Sequence, residues 1–516
     1  MRPETETTSA GSAANSPLAS LKEKIRSHYD RIAERRDFWY RRNNYYHSYI
    51  ESTLRTIIPP GARVLELGSA TGSLLSALAP TRGLGLDLSP RMVQIATRKY
   101  PHLEFQVADA ETFRLPEKFD FVVASDLLGE LGDILAMLDR VHEVSSDDTR
   151  LIVTYHNPAH EPILRLMQSL GQAMRPSRQN WIGPHVVDDL LYLADFRVEW
   201  TDLSFLVPKR IPWVSEFVND RFSRLRGLRY LSLVNVAVAR PIRPRPVPRP
   251  LSASIVIACR NEAGNVESTI RRIPPVGVRT EIIFVDGASS DGTKERIEEQ
   301  IKLNRGLKDI KLVLQVPDHP YGHQAGDTNA PSVMLKLGKG DAVRKGFEAA
   351  TGDVLLILDA DLTVPPEDLP RFFDAIAKGK GEFVNGSRLV YPMEERAMPF
   401  ANYIGNKFFS VLFTWMLEQR VRDTLCANKA LLRSDYERIK NGRAYFGEFD
   451  PFGDFDLLFG AARLGMKIIE VPVRYHRRLA GFTKVRVLTH GWLLLAMSLV
   501  ALRKLKLAKW RSRLRR

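Results

Sequence analysis

One stretch limits what the rest of the chain can do. RPIRPRPVPRP, Arg240 to Pro250, sets proline at nearly every other position, with arginine between. Proline fixes φ and removes a backbone donor, so such a run forms neither a helix nor a central strand. It is expected to be a stiff, extended, solvated linker over residues 239–251. A chain of 516 residues is too long for one core, and two to four domains are expected. The 44% hydrophobic and 26% charged content is that of ordinary globular domains. On both sides of the linker, short aliphatic strands alternate with amphipathic helices. The expected class is therefore α/β, with two doubly wound domains around mainly parallel sheets, at 21–238 and 252–490.

The two ends differ from the middle. MRPETETTSAGSAANSPLAS reads as a disordered leader over 1–20, not a signal peptide. The net charge is +15, and RKLKLAKWRSRLRR, Arg503 to Arg516, holds eight basic residues and no acid. Such a run suits a solvated surface, nucleic acid or an anionic membrane surface. GWLLLAMSLVAL before it has 12 residues, whereas a spanning helix needs about 20. The segment 491–516 thus reads as an amphipathic basic tail lying in the lipid interface. A second apolar stretch, FFSVLFTWML (Phe408 to Leu417), either joins it there or closes the core. Cys259 and Cys426 make neither a disulfide framework nor a four-thiolate zinc site, as expected in a reducing cytoplasm. The expected location is cytoplasmic, peripheral on the inner face of the membrane.

In the first half, residues 21–50 read as helical and are rich in arginine and tyrosine. ARVLELGSATGSLLSAL then gives a strand over Val64 to Leu67, a tight glycine turn and a helix from Ser73. Glycines there let backbone approach a ligand at a helix N-terminus. LGLDLSP is a second strand ending in Asp87, about twenty residues on, where an acid can accept from both ribose hydroxyls. FQVADAE reads as a third strand ending in Asp109, FDFVVASDLLGEL as a fourth with a helix after it, and RLIVTYHN as a fifth.

Residues from about 20 to 235 resemble the class I S-adenosylmethionine-dependent methyltransferases. The resemblance implies a seven-stranded doubly wound sheet and an S-adenosylmethionine site. Glu66, Gly68 and Gly72 would lie around the methionine moiety, Asp87 on the ribose, and Asp109 with Ala110 near the adenine. Ala70 stands where the family has its middle glycine. Methyltransferases acting on bases carry an Asn-Pro-Pro-type turn after the fourth strand; this chain has ASDLLGEL there, and Asn157-Pro158 follows the fifth. No nucleic-acid partner is therefore expected. Tyr29, Tyr45, Tyr46, Arg41 and Arg42 either line an acceptor pocket or pack a capping helix.

In the second half, SASIVIACRNEAGN gives a strand over Ser254 to Ala258, and EIIFVDGASSDGT a strand ending in Asp286. In GKGDAVRKG, glycines flank Lys339, an arrangement suited to a pyrophosphate. VLLILDADLT ends a strand with Asp359 and Asp361, one residue apart, either a polar strand-to-loop transition or a metal site.

These elements, in this order, resemble the family 2 glycosyltransferases of GT-A fold over about 252 to 500. The subgroup is the one with dolichol-phosphate mannose synthase and bacterial polyprenyl-phosphate glycosyltransferases. The resemblance implies that Glu262 and Asp286 hold the nucleoside, that Lys339 and Asp359 lie at the nucleotide sugar, and that Asp359 and Asp361 bind Mg²⁺ or Mn²⁺. A hard divalent cation offsets the charge of a departing diphosphate, and carboxylates bind such cations. Arg388 lies where the subgroup places an arginine near the phosphates. Asp454 would be the general base for a hydroxyl acceptor. For an acceptor phosphate no base is needed, and Arg474, Arg477 and Arg478 would hold it. Thr363 replaces the glutamine of dolichol-phosphate mannose synthases, as in some bacterial relatives. His319 and His323 fall in a long connection before Lys339, which reads as a loop. The sequence thus reads as a metal-dependent inverting glycosyltransferase fused to a methyltransferase of the same pathway. The alternative keeps the glycosyltransferase and makes the first half a non-catalytic S-adenosylmethionine-binding or scaffold module. The expected partners are a nucleotide diphosphate sugar, a lipid-phosphate or glycan acceptor, and an anionic membrane surface.

Overall fold

The computed structural model describes residues 17–177, 180–207, 209–211, 213–219, 232–242, 249–315, 338–391, 400–442, 454–476, 478, 495, 498–499 and 502–503. The chain divides into two units, residues 1–244 and 245–516.

The first unit opens with two helices, α1 (Pro17–Arg42) and α2 (Asn44–Ile57), where the sequence predicts one. The break is Asn43, whose φ of −108° and ψ of 31° leave the helical region. Its side-chain amide donates to the Trp39 carbonyl at 3.2 Å, a local bond that competes with the helix ladder. Then come β1 (Arg63–Leu67), α3 (Ser73–Ala77), β2 (Arg82–Asp87), α4 (Pro90–Lys99), β3 (Glu104–Val107), β4 (Phe119–Ser125), α5 (Ile134–Glu143), β5 (Ser145–His156), α6 (Glu161–Ser169), α7 (Pro184–Leu193), β6 (Phe196–Phe205) and β7 (Val234–Pro241). The sheet runs β3-β2-β1-β4-β5-β7-β6. It is parallel through β5, and β7 lies antiparallel between β5 and β6. Parallel strands covered on both faces must be apolar throughout, and Val64, Leu65, Leu67, Val122, Val123 and Ala124 are all buried. The strand order reverses between β1 and β4, and ligands of such sheets bind at the carboxyl ends beside that point.

Two boundaries differ from expectation. β3 stops at Val107, because Asp109 turns to accept the Glu111 N–H at 2.9 Å. β7 takes in Arg240 and Pro241, which lie opposite Arg197 and Phe196. Proline is tolerated there because the β5 pairing of β7 ends at Ala239, so that side of the strand is an edge at Pro241. Residues 243–248 of the proline-rich linker lie outside the described residues.

The second unit comprises β8 (Ala253–Cys259), α8 (Val266–Arg272), β9 (Thr280–Asp286), α9 (Thr293–Leu303), β10 (Asp309–Leu314), α10 (Lys339–Ala349), β11 (Val354–Ile357), α11 (Leu369–Ala377), β12 (Phe383–Ser387), α12 (Phe400–Leu417), β13 (Lys429–Leu432), α13 (Arg433–Asn441), α14 (Asp454–Arg463) and β14 (Ile468–Pro472). Its sheet runs β10-β9-β8-β11-β13-β12-β14. The first four strands are parallel, β13 is antiparallel to both neighbours, and β12 is parallel to β14. α12 carries the apolar stretch read from the sequence. Phe409, Phe413, Met416 and Leu417 enter the core, while Phe408, Val411 and Trp415 are exposed on the other face. Among the described residues, no helix is long and apolar enough to cross a membrane. Residues 17–20, expected in a disordered leader, are instead the first residues of α1, while 1–16 and the basic tail after Arg503 lie outside the described residues.

Candidate active sites

In the first unit, the carboxyl ends of β1, β2, β4 and β5 open into a cavity of about 300 Å³, a size suited to a small molecule. After β1 the chain turns through Gly68 (φ 72°), Ala70 (φ 47°) and Gly72 (φ 76°). A Cβ at Gly68 would lie 2.9 Å from the Leu127 side chain, and one at Gly72 2.5 Å from the Phe105 ring. Glycine meets both demands, a left-handed backbone and no side chain. Ala70 adopts the same left-handed region and aims its N–H at Asp87, 2.8 Å away. The other Asp87 oxygen accepts the Ser89 N–H at 2.8 Å. Burial raises this carboxyl above its ordinary value, against the pull of those two N–H groups.

Asp109 lies two residues past β3 and meets the Lys22 ammonium from α1, which also reaches Glu111 at 2.8 Å. Glu66, on β1, borders an adjoining hollow of about 60 Å³ beneath Gly68 and Ala70. Burial pushes its carboxyl up to about 8, and among the described residues its Oε2 has no hydrogen-bond partner. Gly68, Asp87, Asp109 and Ala110 line the main cavity; Gly72 shapes the turn without lining it.

Of the five residues weighed as an acceptor pocket, Tyr29 and Tyr46 line the cavity and Tyr45, Arg41 and Arg42 do not. Tyr29 donates to Glu130 at 2.8 Å and Tyr46 to Asp126 at 2.6 Å. Arg42 instead donates to Gln172 at 3.0 Å. Sequence reasoning missed Arg36, His47, Asp126 and His156, which also line the cavity. Asp126 and His156 sit at the ends of β4 and β5. The rule that singled out Asp87 and Asp109, chemistry at the carboxyl ends of parallel strands, applied equally to them.

In the second unit, acids line up along neighbouring strand ends. Asp286 closes β9, and accepts from the Ser289 N–H at 3.1 Å and from its hydroxyl. Glu262 follows β8; its carboxylate accepts from Asn265 at 2.8 Å and its N–H donates to Thr293 at 2.8 Å. Asp359 and Asp361 follow β11. Lys339, the first residue of α10, meets Asp359 through its ammonium. Burial alone would raise the Asp359 carboxyl, yet Lys339, with Arg388 and Lys429 further off, holds it below its ordinary value. Asp361 accepts from the Thr363 N–H at 3.1 Å and hydroxyl at 2.8 Å, and its other oxygen faces Arg478 at 2.8 Å. Each carboxylate of the pair therefore has its own cation.

Arg388 follows β12 and is held by a residue the sequence reading overlooked. Its guanidinium donates to both Asp423 oxygens, at 2.7 and 2.8 Å, and lies over the Tyr475 ring, 5.0 Å from its centre. Burial opposes ionisation of Asp423, but Arg388 holds it down to about 2. Asn406 of α12 donates to Asp423 as well, at 2.8 Å. Behind it, one oxygen of Glu470 on β14 accepts the N–H groups of Arg422 (2.8 Å) and Asp423 (3.2 Å) and the Asn385 amide (3.3 Å). Burial pushes the Glu470 carboxyl up to about 7. Arg474 lies over the Tyr391 ring at 5.4 Å. Asp454 begins α14, but its side chain, with Arg477, His319 and His323, lies outside the described residues. Among the described residues, no group of three or more His, Cys, Asp or Glu side chains converges as a metal site.

Comparison with known proteins matches each unit separately. Residues 38–199 match the family model "Methyltransferase domain", and residues 335–439 match "Glycosyl transferase family 2". The second match brings relatives at 26% identity. Glycosyltransferase AglD of Haloferax volcanii aligns over 48% of this chain and 37% of its own length. Dolichol-phosphate mannosyltransferase of Pyrococcus furiosus aligns over 46% and 60%, and polyprenol monophosphomannose synthase of Mycolicibacterium smegmatis over 48% and 84%. The chain thus spans well under two thirds of the first of these relatives. Among solved structures, magnesium protoporphyrin IX methyltransferase of Synechocystis covers 43% of this chain and 100% of its own, at 18% identity and a TM-score of 0.31. A score at that level supports no assignment by itself.

Proposed function

We propose that this chain, which joins a methyltransferase domain to a family 2 glycosyltransferase domain, moves a sugar from a nucleotide diphosphate to a polyprenyl phosphate or a glycan, and methylates a sugar or lipid-linked intermediate of the same pathway. The observation that carries the first part is the Asp359–Asp361 pair at the exit of β11, faced by Lys339 and Arg478. Two carboxylates without imidazole or thiolate form a donor set that suits a hard ion, Mg²⁺ or Mn²⁺. Such an ion, when bound, offsets the charge of the departing diphosphate. Thr363 keeps Asp361 oriented, and Lys339 and Arg478 are chemically suited to phosphate oxygens. Glu262 and Asp286 stand at neighbouring strand ends to take the nucleoside. The names of the two mannosyl-transferring relatives favour a polyprenyl phosphate acceptor. An acceptor phosphate is already an anion, so it needs holding, which Arg474, Arg477 and Arg478 supply. A glycan hydroxyl would need Asp454 as base. Inversion follows from a single displacement.

Glu66, Gly68, Asp87 and Asp109 are the residues that would hold S-adenosylmethionine, and the unpartnered Glu66 oxygen beneath the glycine turn fits a ligand donor. The chain would work peripherally, on the inner face of an anionic membrane, through the exposed face of α12 and the tail from Arg503. Each basic residue near such a surface contributes roughly 1 kcal/mol.

The test is nucleoside diphosphate release from a panel of nucleotide sugars with decaprenyl phosphate and Mn²⁺, before and after chelation. Asp361→Asn is expected to lower turnover at least 100-fold, on the order of what removing one charge-stabilising group costs. Unchanged turnover would overturn the metal role. A second reading, a first unit that binds S-adenosylmethionine without transferring its methyl group, is favoured by Ala70, which stands at the family's middle-glycine position with a left-handed φ of 47°. Calorimetry with S-adenosylhomocysteine separates the two from a unit that binds neither.

A further inference from the structure

The cavity of the first unit holds a second group of side chains, opposite the turn that carries Gly68 and Asp87. His156 at the end of β5 turns Nδ1 toward Asp126 at 3.7 Å, and both line the cavity. Asp126 is fixed from several sides. Tyr46 donates to one of its oxygens at 2.6 Å and Thr154 to the other at 3.1 Å. Its N–H donates to the Thr154 hydroxyl at 3.0 Å, and its φ of 55° is left-handed, a region that non-glycine residues seldom occupy. The Tyr46 ring lies nearly parallel to the His156 ring, 5.8 Å from it. Strain and over-determined bonding gathered at a cavity wall point to function rather than packing.

We propose that His156 is a catalytic base for methyl transfer to a neutral hydroxyl, with Asp126 and Tyr46 as positioning residues. This rests on the reading of the first unit as a methyltransferase. In the step, the acceptor oxygen bonds to the methyl carbon as the carbon–sulfur bond breaks. The electron pair of that bond stays on sulfur, which loses its positive charge. The hydroxyl proton passes to Nε2 of His156 and from there to water. With Nδ1 facing Asp126, Nε2 is the nitrogen left for the acceptor, and the carboxylate stabilises the imidazolium that forms. A carboxylate acceptor needs no base and would be repelled by Asp126. A neutral hydroxyl does need a base, and a saccharide hydroxyl is the acceptor of that kind that the proposed function supplies.

The charged and titratable groups facing His156 are Asp126, Tyr46 and His47, with Arg36 beside them. Burial and the neighbouring Arg36 hold His47 down to about 3, so it stays neutral throughout the useful pH range. Burial and Asp126 keep Tyr46 protonated.

The experiment uses the full chain and three readouts. Calorimetry with S-adenosylhomocysteine tests the underlying methyltransferase reading; no binding by the wild type overturns that reading and this proposal with it. Carbethoxylation of His156 by diethyl pyrocarbonate, followed by mass spectrometry across pH, reads its protonation without turnover. Asp126→Asn is expected to shift the midpoint to lower pH, because a negative charge beside the imidazolium is lost. The third readout is methyl transfer to methyl α-mannoside, methyl α-rhamnoside and decaprenyl-phosphate mannose. It should rise with pH to a plateau, and fall about 100-fold or more in His156→Gln with ligand binding intact. His156→Gln within threefold of wild type, methyl placed on nitrogen or carboxylate, an unshifted Asp126→Asn midpoint, or no transfer to any hydroxyl probe despite ligand binding each overturn the proposal.

Discussion

Glu470 is a buried acid whose removal should stabilise the protein at neutral pH. It sits on β14, and burial pushes its carboxyl up to about 7. Below the value of the unfolded chain the group is protonated in both states, so its contribution to stability is fully present. As pH rises toward and through 7, the unfolded chain ionises first and that contribution is lost. A glutamate moved from its ordinary range to about 7 loses roughly 3 kcal/mol across that window. Glu470→Gln removes the titration but keeps the contacts, because the three N–H donors from Arg422, Asp423 and Asn385 all fall on one oxygen. Among the described residues the second oxygen faces the Arg422 guanidinium, at 3.3 Å, and an amide there costs about 1 kcal/mol. The variant should therefore be about 1 kcal/mol less stable than wild type below about pH 4, about equal to it near pH 5, and about 2 kcal/mol more stable at pH 8. The assay is hydrogen–deuterium exchange of the peptide covering Ile468–Pro472 in the full chain, from pH 5 to 8, corrected for intrinsic exchange. An equal pH slope in variant and wild type would refute the reasoning, since another group would then carry it.

Asp423→Ala leaves the Arg388 guanidinium buried and unpaired, and urea unfolding should show a loss of roughly 3–5 kcal/mol. Adding Arg388→Met should restore much of it; two additive losses would show that the pair does not act as a unit. Because Asp423 is held down to about 2, its stabilisation is present above the ordinary carboxylate range and is lost as pH falls through 4 toward 2, which acid titration of the wild type can follow. Asp87→Asn should weaken S-adenosylhomocysteine about 10- to 100-fold by calorimetry, since hydrogen bonds to a charged group contribute roughly 1.5–3 kcal/mol. An unchanged affinity would remove Asp87 from the ligand.

Much of this was legible in the sequence, for a physical reason. Parallel strands buried on both faces are near-continuous apolar runs, so LELG, LGLD and LLILD announce themselves, and the residue closing each run lands where ligands bind. Asp87, Asp286 and Asp359 were singled out as candidates that way. Asp126 and His156 obey the same rule but follow strands without a glycine turn or a second acid to draw notice. Asp423 and Glu470 were invisible for a different reason. They belong to a network closed by residues up to 85 positions apart, and no local pattern encodes such a contact. The break at Asn43 was missed because helical periodicity continues through it, and a single side-chain bond decides the backbone.

α1 forms one wall of the cavity, through Lys22, Ile25, Tyr29, Arg36 and Trp39, yet it belongs to no sheet. Its polar fastening to α4 and the loops beside it joins Asp30 to the Ser89 hydroxyl, Glu34 to Arg91 at 2.7 Å, Asp37 to Lys99 at 2.8 Å, and Lys22 to the acids past β3. The two solvent-accessible ion pairs, Glu34–Arg91 and Asp37–Lys99, are worth about 1 kcal/mol or less apiece, and dissolved salt weakens them. The sheet beneath, held by apolar packing, is indifferent to salt at those concentrations. Ionic strength therefore acts on the door and not on the room: residence time of an occupant should shorten as salt rises, with the melting of the strands unmoved.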